Sequence, residues 1–470
     1  MRLTSGILNK LLAALSTLVF CATAFNTIAA WGWDDGSSIL LAMAIAIAIP
    51  VAASSFGKWC GSTGRWILVC AGVVLAAVAI HYIWSVTTAQ GATLEMPTLN
   101  CDSKGYYNWA LNHYDGRCPE PRITFFGLPL AMVVLWSMFG VSIVWPVALN
   151  VGLTLFTIAL CGHLTSLLTR QYGREQLFSN IAMAALALHG YFMSQGAILL
   201  KEAMVYLPMT LIAIVLFKLT SDDANRRWLY ILVYFIACLI LAIVRAKYIN
   251  FAAFGVVLLA LGCWRRQWRT VLTLAVCTGI TWYLGMYWST TYTVAQQLNN
   301  VAGGEYMYHS MGPSDNGMHL WYLDLLGGYF VLPAWKKILL LPFTVGTQYI
   351  IPFPWGAEHN VLESVLPRMN MMWYLVGGIA GFYYLFLSWR RDVSLGLVAW
   401  WPALTTVAIA YISGGTVARY ILPLSPVFTA IAVYAVAVVL GGSHRKAFVC
   451  YSIAFALLLA AALTTGFFLS

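Results

Sequence analysis

Long apolar runs recur along nearly the whole chain, and they limit its fold more than any other feature. Crossing the roughly 30 Å hydrocarbon core of a bilayer takes about 20 apolar residues. Runs of that kind stand at 11–30, 37–54, 66–86, 144–168, 178–195, 198–217, 228–244, 270–288, 370–388, 394–412, 420–440 and 447–468. Shorter ones stand at 124–140, 248–263, 321–334 and 338–352. A water-soluble domain is excluded, because a chain with 61% apolar and only 9% charged residues lacks the polar surface to cover itself. The expectation is an all-α, polytopic membrane protein with thirteen to fifteen spanning helices, forming a single transmembrane domain over 1–470. Met1 to Lys10 reads as a short basic lead into the first span rather than a cleaved leader.

The net charge of +10 would suit nucleic acid, but its distribution suits membrane topology better. Short loops rich in Lys and Arg stay on the cytoplasmic side. Placing Arg2/Lys10, Lys58/Arg65, Arg170/Arg174, Lys218/Arg226/Arg227, Arg265/Arg266/Arg269, Arg390/Arg391 and Arg445/Lys446 inside accounts for sixteen of the 26 basic residues. Glu175, Asp222, Asp223 and Asp392 are then inside, and the other twelve of the 16 acids face outward or lie at outer helix ends. An odd number of crossings must join Arg122 outside to Arg170 inside, although two apolar runs lie between them. The shorter, Thr124 to Gly140, carries Gly127 and Pro129 near its start and reads as an interfacial or re-entrant helix.

Two long external loops interrupt the spans, at 87–122 and 289–320. The first holds "CDSKGYYNWALNHYDGRC", Cys101 to Cys118. These are the two of the ten cysteines that share an external loop, and in an oxidising compartment they could close a disulfide; two unpaired thiols are the other reading. If the segment is helical, Asp102, Tyr106 and Trp109 share a face. The carboxylate then stands over an aromatic row, serves as a helix N-cap, or does both. Asp34 and Asp35, in the short turn after the first span, are the weaker alternative acids.

Lys201 and Glu202 interrupt an apolar run near its outer end. Charges there are costly and are functional candidates by default, although Lys201 snorkelling toward headgroups with Glu202 beside it is the plainer account. Arg245 and Lys247, followed by Tyr248, and Arg419, followed by Tyr420, lie outside against the positive-inside trend. A lipid-linked phosphate would explain them, as would anionic headgroups. The stretch 351–370 sets His359 and Arg368 among prolines and acids at the outer leaflet. No Cys/His cluster argues for zinc.

An outer-loop Asp, then "GLPL", a Lys-Glu pair, "RAKY", "PFPW" and a late "GGTVARYILP" follow one another in this order. That order resembles the GT-C superfamily of polytopic glycosyltransferases, which use polyprenyl-linked sugar donors, and its bacterial envelope members in particular. The resemblance implies a GT-C-like fold with an active site facing the periplasm or exterior of a bacterial inner membrane. It implies that Asp102 acts as general base on the acceptor, that Lys201, Arg245, Lys247 and Arg419 hold the donor phosphate, and that Glu202 orients one of those cations. Tyr106, Trp109, Tyr248, Tyr420, His359 and Arg368 would then contact substrate. The superfamily's acid normally follows the first transmembrane helix, the place Asp34 and Asp35 occupy here, so both remain alternatives. Some members require a divalent metal, and no other cofactor is implied.

The partners expected are a lipid-linked sugar donor, a glycan or lipid acceptor and the membrane, with no nucleic acid. A polysaccharide repeat-unit polymerase, using a lipid-linked oligosaccharide, is the near alternative. A transporter or lipid flippase is the distant one, but it calls for midplane charges, broken helices and repeats, whereas the ionisable residues here gather toward the outer face. Thiol mapping tests the first loop: in protein kept from reductant, Cys101 and Cys118 should resist alkylation until a disulfide reductant is added, and prompt labelling of both would remove the bridge.

Overall fold

The computed structural model describes residues 36–56, 101–117, 127–189, 192–193, 196, 199–221, 226–288, 332–350, 378–389, 392–413, 420–440 and 453. Among them every regular element is a helix. The runs at 11–30, 66–86 and, but for residue 453, 447–468 lie outside the described residues, as does the loop 289–320. Five described stretches are long and apolar enough to cross a membrane: Val144–Tyr172, Glu202–Thr220, Arg227–Gly285, Val393–Ser413 and Leu422–Leu440. The protein is therefore an all-helical integral membrane protein. Its helices form two compact units, one of Met1–Leu211 with Ile243–Arg245, the other of Ile212–Ala242 with Ala246–Ser470.

The first unit contains α1 (Gly36–Phe56), α2 (Cys101–Tyr114), α3 (Gly127–Phe139), α4 (Val144–Thr169), α5 (Glu175–Ala187), the start of α6 (Glu202–Thr220) and the last residues of α7 (Arg227–Arg245). Its backbones approach closely at small residues, as is usual where dispersion rather than water drives helix association. A β-carbon on Gly152 of α4 would lie 3.3 Å from the Ala46 carbonyl oxygen of α1. One on Gly162 would lie 2.7 Å from Met183 Cγ and 2.8 Å from Ser179 Oγ of α5. The hydroxyls of Thr157, Thr165 and Thr169 donate back to the carbonyls of Leu153, Cys161 and Thr165, so α4 carries polar groups through an apolar interior without leaving them unsatisfied.

One element differs from the sequence reading. The run 178–195 does not continue as one helix: α5 closes at Ala187, with Leu188 as its C-cap, and α6 begins at Glu202. Thirteen residues rise only about 20 Å, too short for a crossing. Side chains of α4 satisfy backbone in the connection, where Asn150 Nδ2 donates to the Leu200 carbonyl at 2.8 Å and Thr154 Oγ1 to that of Gly196 at 3.5 Å. Within the run 124–140 the described helix is α3, also of thirteen residues.

In the second unit, Arg227–Gly285 would measure about 90 Å if straight, enough for three crossings. The chain folds accordingly. α7 ends in a 3-10 turn at Ala246–Tyr248, and α8 (Ile249–Trp288) breaks at Gln267, whose φ of −136° and ψ of 28° are not helical. The three pieces run up, down and up: Tyr234 Oη meets both the Ala252 carbonyl and Thr278 Oγ1, and a β-carbon on Gly285 would lie 2.9 Å from Ala246 Cβ. The break sits in "CWRRQWR", where Arg265, Arg266, Arg269, Trp264 and Trp268 are exposed. That is the composition of a turn at a membrane surface.

The rest of this unit comprises α9 (Ala334–Ile350), α10 (Ile379–Ser388), α11 (Val393–Ser413) and α12 (Ser425–Leu440). Asp392 Oδ1 accepts from the Ser394 and Leu395 amides and so caps α11. Trp401 Nε1 donates to the Phe251 carbonyl, tying α11 to α8. Phe382 meets Phe428, tying α10 to α12.

The Asn150 bond gives a measurable consequence. Asn150→Leu should destabilise the detergent-solubilised protein by about 1–3 kcal/mol, the penalty for leaving a buried acceptor unpaired. Thr154→Val, at a longer bond, should cost less; equal melting temperatures for wild type and Asn150→Leu would show that the Leu200 carbonyl needs no such anchor.

Candidate functional site

The polar segment folds as α2 over Cys101–Tyr114, with Asp102 in its first turn. The side chains of Cys101 and Asp102, together with Cys118, lie outside the described residues. Helical spacing places Tyr106 and Trp109 on the face that turns inward, where they are 6% and 7% exposed. Lys104 and Asn108 occupy the exposed face. Tyr107 and Tyr114 meet Trp136 of α3 edge-on, at 5.4 and 6.2 Å between ring centroids. Trp136 is itself pinned by its Nε1 donating to the Ser142 carbonyl.

Tyr106 reaches the Lys-Glu pair. Lys201 Nζ donates to Tyr106 Oη at 2.7 Å and lies 5.3 Å from the centre of its ring. Glu202 opens α6 and Arg245 closes α7, positions where an acid and a base respectively oppose the helix dipoles. They meet as an ion pair, Arg245 Nη1 to Glu202 Oε1 at 3.4 Å. Lys201, Glu202 and Arg245 are 4%, 1% and 6% exposed, so all three charges are withdrawn from solvent. The Lys201 ammonium is buried against a tyrosine.

Two residues without charge position this group. Asn150 holds the carbonyl of Leu200, immediately before Lys201. Gly127, the first residue of "GLPL", brings the start of α3 against the end of α7; a β-carbon there would sit 2.8 Å from Val244 Cα, next to Arg245. The sequence marks Gly127 only as an opening residue of a non-crossing helix, and does not single out Asn150. For Asn150 the signal was an amide inside an apolar run.

The other described candidates belong to the second unit. Tyr248, 3% exposed and in the second unit, donates its hydroxyl to the Tyr420 carbonyl at 2.7 Å and packs edge-on against Phe251. Lys247 and Tyr420 are half-buried. Asp34, Asp35, His359, Arg368 and Arg419 lie outside the described residues. Among the described residues no three His, Cys, Asp or Glu side chains gather in a way that could hold a metal ion.

No protein-family model matches the chain, and no curated protein matches it in sequence. Among solved structures it is similar to the archaeal oligosaccharyltransferase AglB from Archaeoglobus fulgidus, in complex with an inhibitory peptide and a dolichol-phosphate. Identity is 14%, with 84% of this chain and 54% of that one covered, at a TM-score of 0.44. The chain thus spans about half the length of that enzyme.

A buried ion pair is more expensive to break than to delete. Arg245→Met should cost about 3–5 kcal/mol in thermal unfolding of the solubilised protein, by stranding the Glu202 carboxylate. Adding Glu202→Met to that variant should restore part of the loss; additive losses would mean the two groups do not act as a pair.

Proposed function

We propose that this protein is a membrane glycosyltransferase of the GT-C kind, which moves a sugar from a polyprenyl-(pyro)phosphate donor to a glycan or lipid acceptor at the external face of a bacterial inner membrane. One observation carries the reading: the polar segment after Asp102 supplies Tyr106 to Lys201, while the adjacent Glu202 pairs with Arg245, all of them buried. Ionisable groups in an apolar helical protein are retained at a cost. Here two cations stand at helix ends beside the segment in which the sequence order resembles that superfamily.

The chemistry divides between the two parts. The Asp102 carboxylate takes the proton from the acceptor hydroxyl as its oxygen bonds to the anomeric carbon. The bond from that carbon to the donor phosphate breaks, and the electron pair leaves with the phosphate oxygen, whose charge Lys201 and Arg245 stabilise. Glu202 holds Arg245 in place. Attack opposite the leaving group inverts the anomeric centre. The sequence resemblance further assigns Lys247 and Arg419 to the donor phosphate, and Tyr248, Tyr420, His359 and Arg368 to substrate.

Purified protein in nanodiscs, given polyprenyl-linked sugars and acceptor lipids, should release polyprenyl phosphate or pyrophosphate. Asp102→Asn should abolish release while retaining donor binding. Full turnover by that variant would move the base to Asp34 or Asp35. No release from any donor, together with solute uptake into proteoliposomes, would replace the enzyme by a transporter.

A further inference from the structure

Two residues close in sequence to the Tyr106–Lys201 pair carry buried polar atoms, and neither atom has a hydrogen-bond partner among the described residues. One is Glu202 Oε2, on a side chain 1% exposed whose other oxygen meets Arg245. The other is Ser103 Oγ, on a residue 1% exposed in α2. Ser103 precedes Tyr106 by three residues and so lies on the same face of α2. Glu202 directly follows Lys201, whose ammonium is 2.7 Å from Tyr106 Oη. Buried polar groups are almost always paired, and one left unpaired costs about 1–3 kcal/mol, so two on residues close in sequence to the paired Tyr106 and Lys201 need an explanation.

The chemistry of these atoms narrows what could pair with them. An ionised carboxylate oxygen only accepts hydrogen bonds, whereas a serine hydroxyl both donates and accepts. A bare phosphate offers acceptors alone: it would suit Lys201 and Arg245 but face Glu202 Oε2 with like charge. A sugar joined to that phosphate changes the balance, because its hydroxyls donate to the carboxylate and exchange hydrogen bonds with the serine. We propose that Ser103 and Glu202 form a subsite for the sugar hydroxyls of a glycosyl phosphate, so that the site distinguishes the loaded lipid from the spent polyprenyl phosphate. The inference rests on the donor-site reading above and adds to it. Once the sugar has left, the product phosphate gains negative charge and loses the groups that satisfied Glu202, and its release is favoured.

The test measures binding of polyprenyl phosphate and of the same lipid carrying glucose, galactose, mannose or N-acetylglucosamine to the full-length protein in nanodiscs. Wild type should bind at least one sugar-bearing lipid about tenfold more tightly than the bare one, the gain expected of a hydrogen bond to a charged group. Glu202→Gln should remove most of that preference. Ser103→Ala, which deletes one small hydroxyl and does not disturb the ion pair, should reduce it several-fold. Ser137→Ala, at an exposed position on α3, should leave it intact. A wild type that binds the bare lipid but prefers no sugar-bearing form overturns the subsite, as does a preference that survives in both variants. If wild type binds neither kind of lipid, the donor-site reading itself falls.

Discussion

The contact between Glu202 and Arg245 is the constraint around which the first unit is arranged. Neither charge is tolerable alone in an apolar interior, so the end of α7 and the start of α6 have to meet. That requirement explains why α5 stops at Ala187 and α6 starts afresh at Glu202: the new helix begins where its first-turn acid faces a base at another helix's end. It also explains the polar side chains of α4, because a connection inside an apolar protein needs partners for its backbone, and Asn150 and Thr154 provide them.

The second unit obeys a different rule. Its α7 and α8 segments are long apolar stretches whose reversals occur where polar groups reach the surface. At Gln267 the reversal is surrounded by exposed arginines and tryptophans. Tyrosine and threonine hydroxyls inside these helices are matched to carbonyls or to each other, as Tyr234 is with Thr278 and Ala252. Tyr248 belongs to this pattern: its hydroxyl donates to the Tyr420 carbonyl.

Much of this could be read in advance from particular residues. The 20-residue apolar periodicity disclosed the helical membrane class, and "RRQWR" disclosed the turn between two passes, because both depend on composition over a window. The charges at 201, 202 and 245 stood out because each violates its surroundings. Their pairing did not stand out. Nothing in one dimension tells that residue 245 comes back to residue 202, or that Tyr106 from a separate polar segment reaches Lys201, since those contacts follow from how the helices pack. The break at Ala187 was hidden for a related reason: "IAMAALALHGYFM" stays apolar through it, and the polar groups that make it tolerable are on α4. Asp102 marks the limit on the other side, where the sequence supplies a helix and a role for the acid but the described structure supplies only the helix.

Gly127 ties these threads together. With no side chain, it lets α3 rest directly on the backbone of Val244, one residue before Arg245. Any larger residue there would push against the end of α7, and the first thing displaced would be a guanidinium held to its carboxylate across 3.4 Å. A defect in charge pairing can therefore arise from a substitution that alters no charge, at a position more than one hundred residues away in sequence.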